Sequence, residues 1–188
     1  MKHPAQHFSA LQRLMHWSMA VLIVAMLFVG VGMVSTVSSL HDSLLALHRP
    51  LGIALFVLVV LRLAVRLKRG APPLPADLPM WQRLPAHASH LVLYALMIAM
   101  PLIGWSMESA GGYPVVLCGS FHLPAIVAPN PVLHAVLRQA HTCLGFLFFL
   151  VILMHLAAAL FHALVRRDEV FASMTSGVGR ASVSQDAD

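Results

Sequence analysis

The sequence predicts an all-α membrane protein, a four-helix transmembrane bundle with both termini in the cytoplasm. Three observations carry this. Hydrophobic residues make up 59% of the 188-residue chain and charged residues 10%, whereas a soluble domain is nearer ~25% charged. Four apolar runs are long enough to cross a hydrocarbon core of ~30 Å, which takes about 20 helical residues. Lys and Arg gather at the ends of these runs, as topology determinants do. The formal charge of +5 is therefore read as orientation, and nucleic acid is excluded as a partner.

The first span is expected over residues 14–35, after a short basic lead, with His16 and Trp17 at its entrance. Trp17 fits an interfacial anchor. A short loop holding His41 and Asp42 leads to the second span, 47–67, which opens on His48 and closes on Arg62, Arg66, Lys68 and Arg69. Residues 70–85 form a proline-rich connector that does not continue a helix. The third span, 86–107, starts with His87 and His90, and Pro101 should kink or loosen it. Residues 108–137 form the longest loop. Gly111, Gly112 and the prolines at 114, 124, 129 and 131 argue against regular structure there. The fourth span is 138–166. Residues 1–170 thus make one domain, and 171–188 a mobile polar tail. The first apolar run is too long for the core of a cleavable signal peptide. The two cysteines, Cys118 and Cys143, give no disulfide framework, and Cys143 reads as a small packing residue.

Orientation follows from Lys and Arg in the short loops. Lys2, Arg13, Arg66, Lys68, Arg69, Arg83, Arg166 and Arg167 lie on one side, against little beyond Arg49 and Arg138 on the other. The basic side is the cytoplasmic one.

The fourth span carries three histidines, His141, His155 and His162. His141 and His155 are fourteen residues apart, which returns to within about 40° of one helix face with a rise of about 21 Å. One helix so presents one imidazole near each membrane surface. His162, seven residues on, lies within about 20° of the His155 direction. With the topology above, His16 shares a depth with His155, and His48 with His141. The match is imperfect, since His16 is three residues from Arg13 and His155 eleven from Arg166; span four projects further, or span one begins deeper.

A lone histidine at a span entrance is usually an interfacial polar residue, but four that sort into two pairs are harder to read that way. A group needing two axial nitrogens suits each gap. Haem b is the natural candidate, apolar enough for a bundle core and ligated axially by imidazole. The rival is a haem-free, histidine-based proton or metal-ion pathway. Such pathways commonly add Asp or Glu, and the span interiors contain neither. The remaining histidines, His3, His7, His41, His122 and His134, read as lead or loop residues, and the methionines as packing. Arg62 and Arg66 suit haem propionates, although topology alone explains them.

The chain resembles the bacterial cytochrome b561 family of small di-haem membrane proteins, including its superoxide oxidase members. The resemblance covers nearly the whole chain. It rests on LMHW at 14–17, LHRPLG at 47–52, VLRLAVRL at 60–67, HASHLVLYALMIAMPLIGW at 87–105 and the spacing of His141, His155 and His162. The last two are specific, whereas LMHW alone is weak. The resemblance implies two haem b groups whose iron is held by His16, His48, His141 and His155. It also implies a ubiquinone site at His90 and His162, with His87 near its vestibule. The loop GGYPVVLCGSFHLPAIVAPNP departs from that of superoxide oxidases. Three functions follow as expectations: an oxidoreductase of the bacterial inner membrane passing electrons from a periplasmic donor such as superoxide to ubiquinone; an electron-transfer subunit for a separate dehydrogenase or periplasmic partner; or the haem-free transporter.

Overall fold

A computed structural model describes residues 7–73, 77–117 and 121–175. Four long helices cross in turn: α1 (Ala10–Ser35), α2 (Ser39–Arg69), α3 (Met80–Ala110) and α4 (Pro131–Phe161). The chain of α4 continues as a π-helical turn, His162–Arg166, and ends in a short α5 (Glu169–Thr175). Between α3 and α4, strands β1 (Val115–Leu117) and β2 (Phe121–Leu123) pair antiparallel with Val116 opposite His122.

Three of the four long helices are capped at their starts by a side chain. Ser9 and Gln12 form a reciprocal capping box at α1, which meets two of the helix's orphan donors. The Ser38 hydroxyl accepts from the Leu40 N–H at α2. Asn130 accepts from the Leu133 N–H at α4, where Pro131 takes a first-turn position that asks nothing of its missing N–H. Gly70, at φ 73°, ends α2 in a backbone region that other residues avoid.

Several expectations are corrected here. The loop after α1 shrinks to residues 36–38, so His41 is helical. The connector is helical from Met80, and α3 runs on through both Pro85 and Pro101. The region 108–137 is not irregular: α3 reaches Ala110, α4 begins at Pro131, and a two-stranded hairpin lies between. Of the expected mobile tail, residues 171–175 belong to α5; the rest lies outside the described residues, as do His3 and Cys118. Cys143 is exposed rather than packed inside, and takes a hydrogen bond from Gln139.

Few side chains are truly buried, among them Met19, Leu55, Val59, Leu96 and Phe148. Large apolar ones line the outside, with Phe28 at 74% and Leu91 at 72% exposure. In water such continuous apolar surface is untenable; in lipid it is the required outer face, and all four helices are long and apolar enough to span a membrane. The hairpins α1–α2 and α3–α4 pack closely within themselves and more loosely against each other through α2 and α3. The space between the two hairpins is where the histidines meet.

The ends of the bundle differ. At one, Gln12 donates to the Gly70 carbonyl at 2.9 Å, Trp17 to the Met174 carbonyl at 3.0 Å, and Arg166 reaches Asp77 and Gln82. The start of α1, the α2–α3 connector and the end of the described chain are thereby tied together. The hairpin and the 36–38 turn form the opposite end.

Candidate functional site

At the hairpin end, His48 of α2 faces His141 of α4 with ring centroids 6.1 Å apart. Both Nδ1 atoms are buried, with no hydrogen-bond partner among the described residues. A buried ring nitrogen without a partner is costly, and the described residues supply none to either Nδ1. Gly104 of α3 makes the room: a Cβ there would stand 3.4 Å from Cε1 of His141. Beside the pair, Arg49 forms an ion pair with Glu108, which is only 8% exposed.

At the terminus end, His16 of α1 faces His155 of α4 at 6.5 Å between centroids. A third imidazole, His90 of α3, lies 5.4 Å from His155. Arg62 donates to Nδ1 of His16 at 3.0 Å. Since a guanidinium has no acceptor, that ring's Nδ1 is the acceptor, and a neutral ring then carries its proton on Nε2. Arg62 and Arg66 each place the guanidinium carbon 5.7 Å from the centre of the Tyr94 ring, within cation–π range. They border a shallow surface depression that Gln12 and Met174 help to line.

His162 lies beyond this cluster, in the π-helical turn, and its Nδ1 meets the Asp168 carboxylate at 2.7 Å. Arg166 donates to the same oxygen at 2.9 Å. Burial alone would raise the Asp168 carboxyl, but hydrogen bonds from His162, the Val170 N–H and Arg166 outweigh it and hold the group below the usual carboxylate range. The loop histidines have bland tasks. His41 and His134 put Nδ1 against the carbonyls of Met33 and Met107, at 3.0 and 2.9 Å.

The structure therefore brings His16 to His155 and His48 to His141, sets His90 against His155, and gives His162 a carboxylate. Sequence reasoning missed Glu108 and Asp168. Glu108 falls in the expected loop; its signal is an acidic residue directly after a long apolar run. Asp168 falls just past the expected fourth span, where the sequence gives it no role; its signal is an acid following two arginines at a helix end.

Among the described residues, no three His, Cys, Asp or Glu side chains converge on a metal-ion site. Two opposed imidazoles suit instead a bound group that brings its other metal ligands itself. The sequence profile of the family described as prokaryotic cytochrome b561 matches residues 7–177. The chain is 29% identical to cytochrome b561 homolog 2 of Escherichia coli over 172 residues, covering 90% of this chain and 91% of that one. It is 28% identical to cytochrome b561 homolog 1 of the same organism over 170 residues, covering 89% and 96%. Over 129 residues it is 33% identical to the probable superoxide oxidase CybB of Yersinia pestis, covering 68% of this chain and 72% of that one.

Proposed function

The chain belongs to the prokaryotic cytochrome b561 family, and from that premise we propose that it holds two b haems, one toward each end of the bundle, and passes single electrons from a periplasmic donor to ubiquinone. Membership makes it a multi-pass bacterial membrane cytochrome b with a redox role. The haem count, the ligands, the quinone and the inner-membrane location are this reading's own.

One observation carries it. Two metal–imidazole bonds of about 2.0 Å, with roughly 1.1 Å from each nitrogen to its ring centre, ask for centroids about 6.2 Å apart. The observed 6.5 Å for His16–His155 and 6.1 Å for His48–His141 bracket that figure. The 5.4 Å between His90 and His155 is short of it, which favours His90 as a neighbour of the ligand rather than a ligand.

Bound haem supplies a one-electron couple tuned by axial ligation, burial and nearby charge. The chain does the rest. His16 and His155 would hold one iron, His48 and His141 the other. Ligation through Nε2 of His16 would require the proton on Nδ1, so Arg62 would be released from that atom and, with Arg66, would be free for a carboxylate. The lipid-facing apolar helices keep water from both pairs. His90 and His162 supply the hydrogen bonds and protons that a quinone carbonyl needs as it is reduced. The basic residues at the terminus end favour the cytoplasmic side for it and for the quinone.

The test is a pyridine haemochrome assay with spectra of purified protein. Two low-spin haems per chain are expected; one or none overturns the reading, and none leaves the haem-free transporter. The superoxide oxidase named among its relatives makes superoxide the first donor to try, in a stopped-flow pulse that should reduce both haems. A second reading, an electron-transfer subunit docked to a separate redox protein, is favoured by the apolar side chains exposed at the hairpin end, Tyr113 at 55% and Phe121 at 62%. Haems that do not respond to superoxide point to that reading.

A further inference from the structure

The turn after α4 is built to return a carboxylate to His162. The five residues from His162 to Arg166 form a π-helix, a wide turn frequent at functional sites. Arg167 follows at φ 55°, ψ 37°, a left-handed conformation that a non-glycine residue adopts at some expense. Its N–H closes on the His162 carbonyl, and the chain reverses so that Asp168 lies against the ring from which the turn began. Both side chains are largely enclosed, at 13% exposure for His162 and 16% for Asp168.

The groups around the dyad come from every neighbouring element. Arg166 shares the carboxylate oxygen Oδ2 at 2.9 Å and extends to Gln82 of α3 at 3.2 Å and to Asp77 of the connector at 2.8 Å. Asp77 is 75% exposed, so its charge is screened by water and contributes little. The Phe161 ring lies 6.0 Å from the imidazole. The other carboxylate oxygen of Asp168 accepts from the Val170 N–H at 3.2 Å and so caps α5. Asp168 thus divides its oxygens between a structural duty and the histidine.

We propose that Asp168 is the positioning residue of His162: it keeps a proton on Nδ1, leaves Nε2 as the nitrogen that exchanges protons with substrate, and balances the charge of the ring while it is doubly protonated. A buried acid behind an imidazole serves this purpose wherever the ring must take and give a proton. This rests on the quinone reading above. In each turnover the quinone takes two electrons, one at a time from reduced haem b, and two protons. For the proton at this site, the Nε2–H bond of the doubly protonated ring breaks and an O–H bond forms on the quinone oxygen. The ring is left neutral with Nδ1–H still on Asp168, and a proton from bulk water restores Nε2–H.

Asp168→Asn separates the two duties. Asn caps a helix as well as Asp but carries no charge. In holoprotein with both haem spectra intact, reoxidation of the reduced haems by a soluble ubiquinone analogue should slow tenfold or more at neutral pH. The limb of its pH profile should move to lower pH, because the charge that balances the doubly protonated ring is gone. Asp168→Glu should restore much of the rate. Nitrogen-15 NMR of histidine-labelled protein, with His162 assigned by its loss in His162→Gln, reads the ring independently of activity: wild type should carry its proton on Nδ1, and Asp168→Asn should lose that preference. If Asp168→Asn does not fold, Asp168→Ser, also a capping residue without charge, takes its place. A slow His162→Gln beside a normal Asp168→Asn, or an unmoved pH profile and tautomer, overturns this assignment alone. Normal rates in both variants overturn the quinone reading and this inference with it.

Discussion

His155 stands between two other imidazoles, His16 at 6.5 Å and His90 at 5.4 Å, and variants of each separate ligand from neighbour. His16→Ala and His155→Ala should each remove one spectral component, and His48→Ala and His141→Ala each the other, read as the α-band of dithionite-reduced protein. His48→Ala and His155→Ala acting on the same component would mean the pairing is wrong. His90→Ala should keep both haems and slow reoxidation by quinone about tenfold, the ~1.4 kcal/mol of one good hydrogen bond; loss of a haem would make His90 the ligand. Asp168 also sets an acid limit. Its folded carboxyl lies below the ordinary value, so its contribution to stability is full above the unfolded value of about 4 and is lost as pH falls through the lowered folded one. Melting temperature followed from pH 6 downward should therefore fall more steeply in wild type than in Asp168→Asn, and parallel curves would remove the carboxylate from the stability of this end.

At the scale of elements, the segment between α3 and α4 is anchored at both ends. The Asn130 N–H reaches the Ala110 carbonyl at 2.8 Å, and His134 meets the Met107 carbonyl. Across it, Glu108 at the end of α3 pairs with Arg49 near the start of α2. Removing one partner of an enclosed ion pair leaves the other without compensation. Arg49 keeps 27% of its exposure, so Glu108→Gln should lower stability by about 1–3 kcal/mol, less than for a fully buried pair. The measurement is thermal loss of the haem held by His48 and His141, with the other haem as internal control; equal loss of both would mean that Glu108 acts on the whole bundle. The prolines of this region misled sequence reasoning for a physical reason. Proline is disfavoured in helix interiors but tolerated in the first turn, and Pro131 takes that position. Pro85, inside α3, lies only one turn beyond the first.

At the scale of the molecule, the start of α1, the end of α2, the start of α3 and the end of α4 collect at one end of the bundle, held by Gln12, Trp17 and Arg166. The number of spans is even, so the two termini share a side, and on the proposed reading the basic residues make that side the cytoplasmic one. Reporter proteins fused at either terminus should be active only in the cytoplasmic form, and one fused within residues 111–130 only in the periplasmic form. A periplasmic signal from either terminus would invert the bundle and exchange the donor and quinone ends.

Span number, membrane class and the depth-matched histidines were legible in the sequence because each depends on a local quantity: apolar run length, basic flanks and the rise along one helix. His141 and His155 could be placed at opposite depths from spacing alone. What the tertiary structure decided is which groups meet across helices. Periodicity in α3 leaves open that His90 lies beside His155, and the run from Ser38 to Arg69 leaves open that Arg62 touches His16. Asp168 and Glu108 were hidden for the same reason. Their roles arise from a chain reversal at Arg167 and from an approach of α2 to the end of α3, and such long-range closures follow from packing, which no single stretch of sequence encodes.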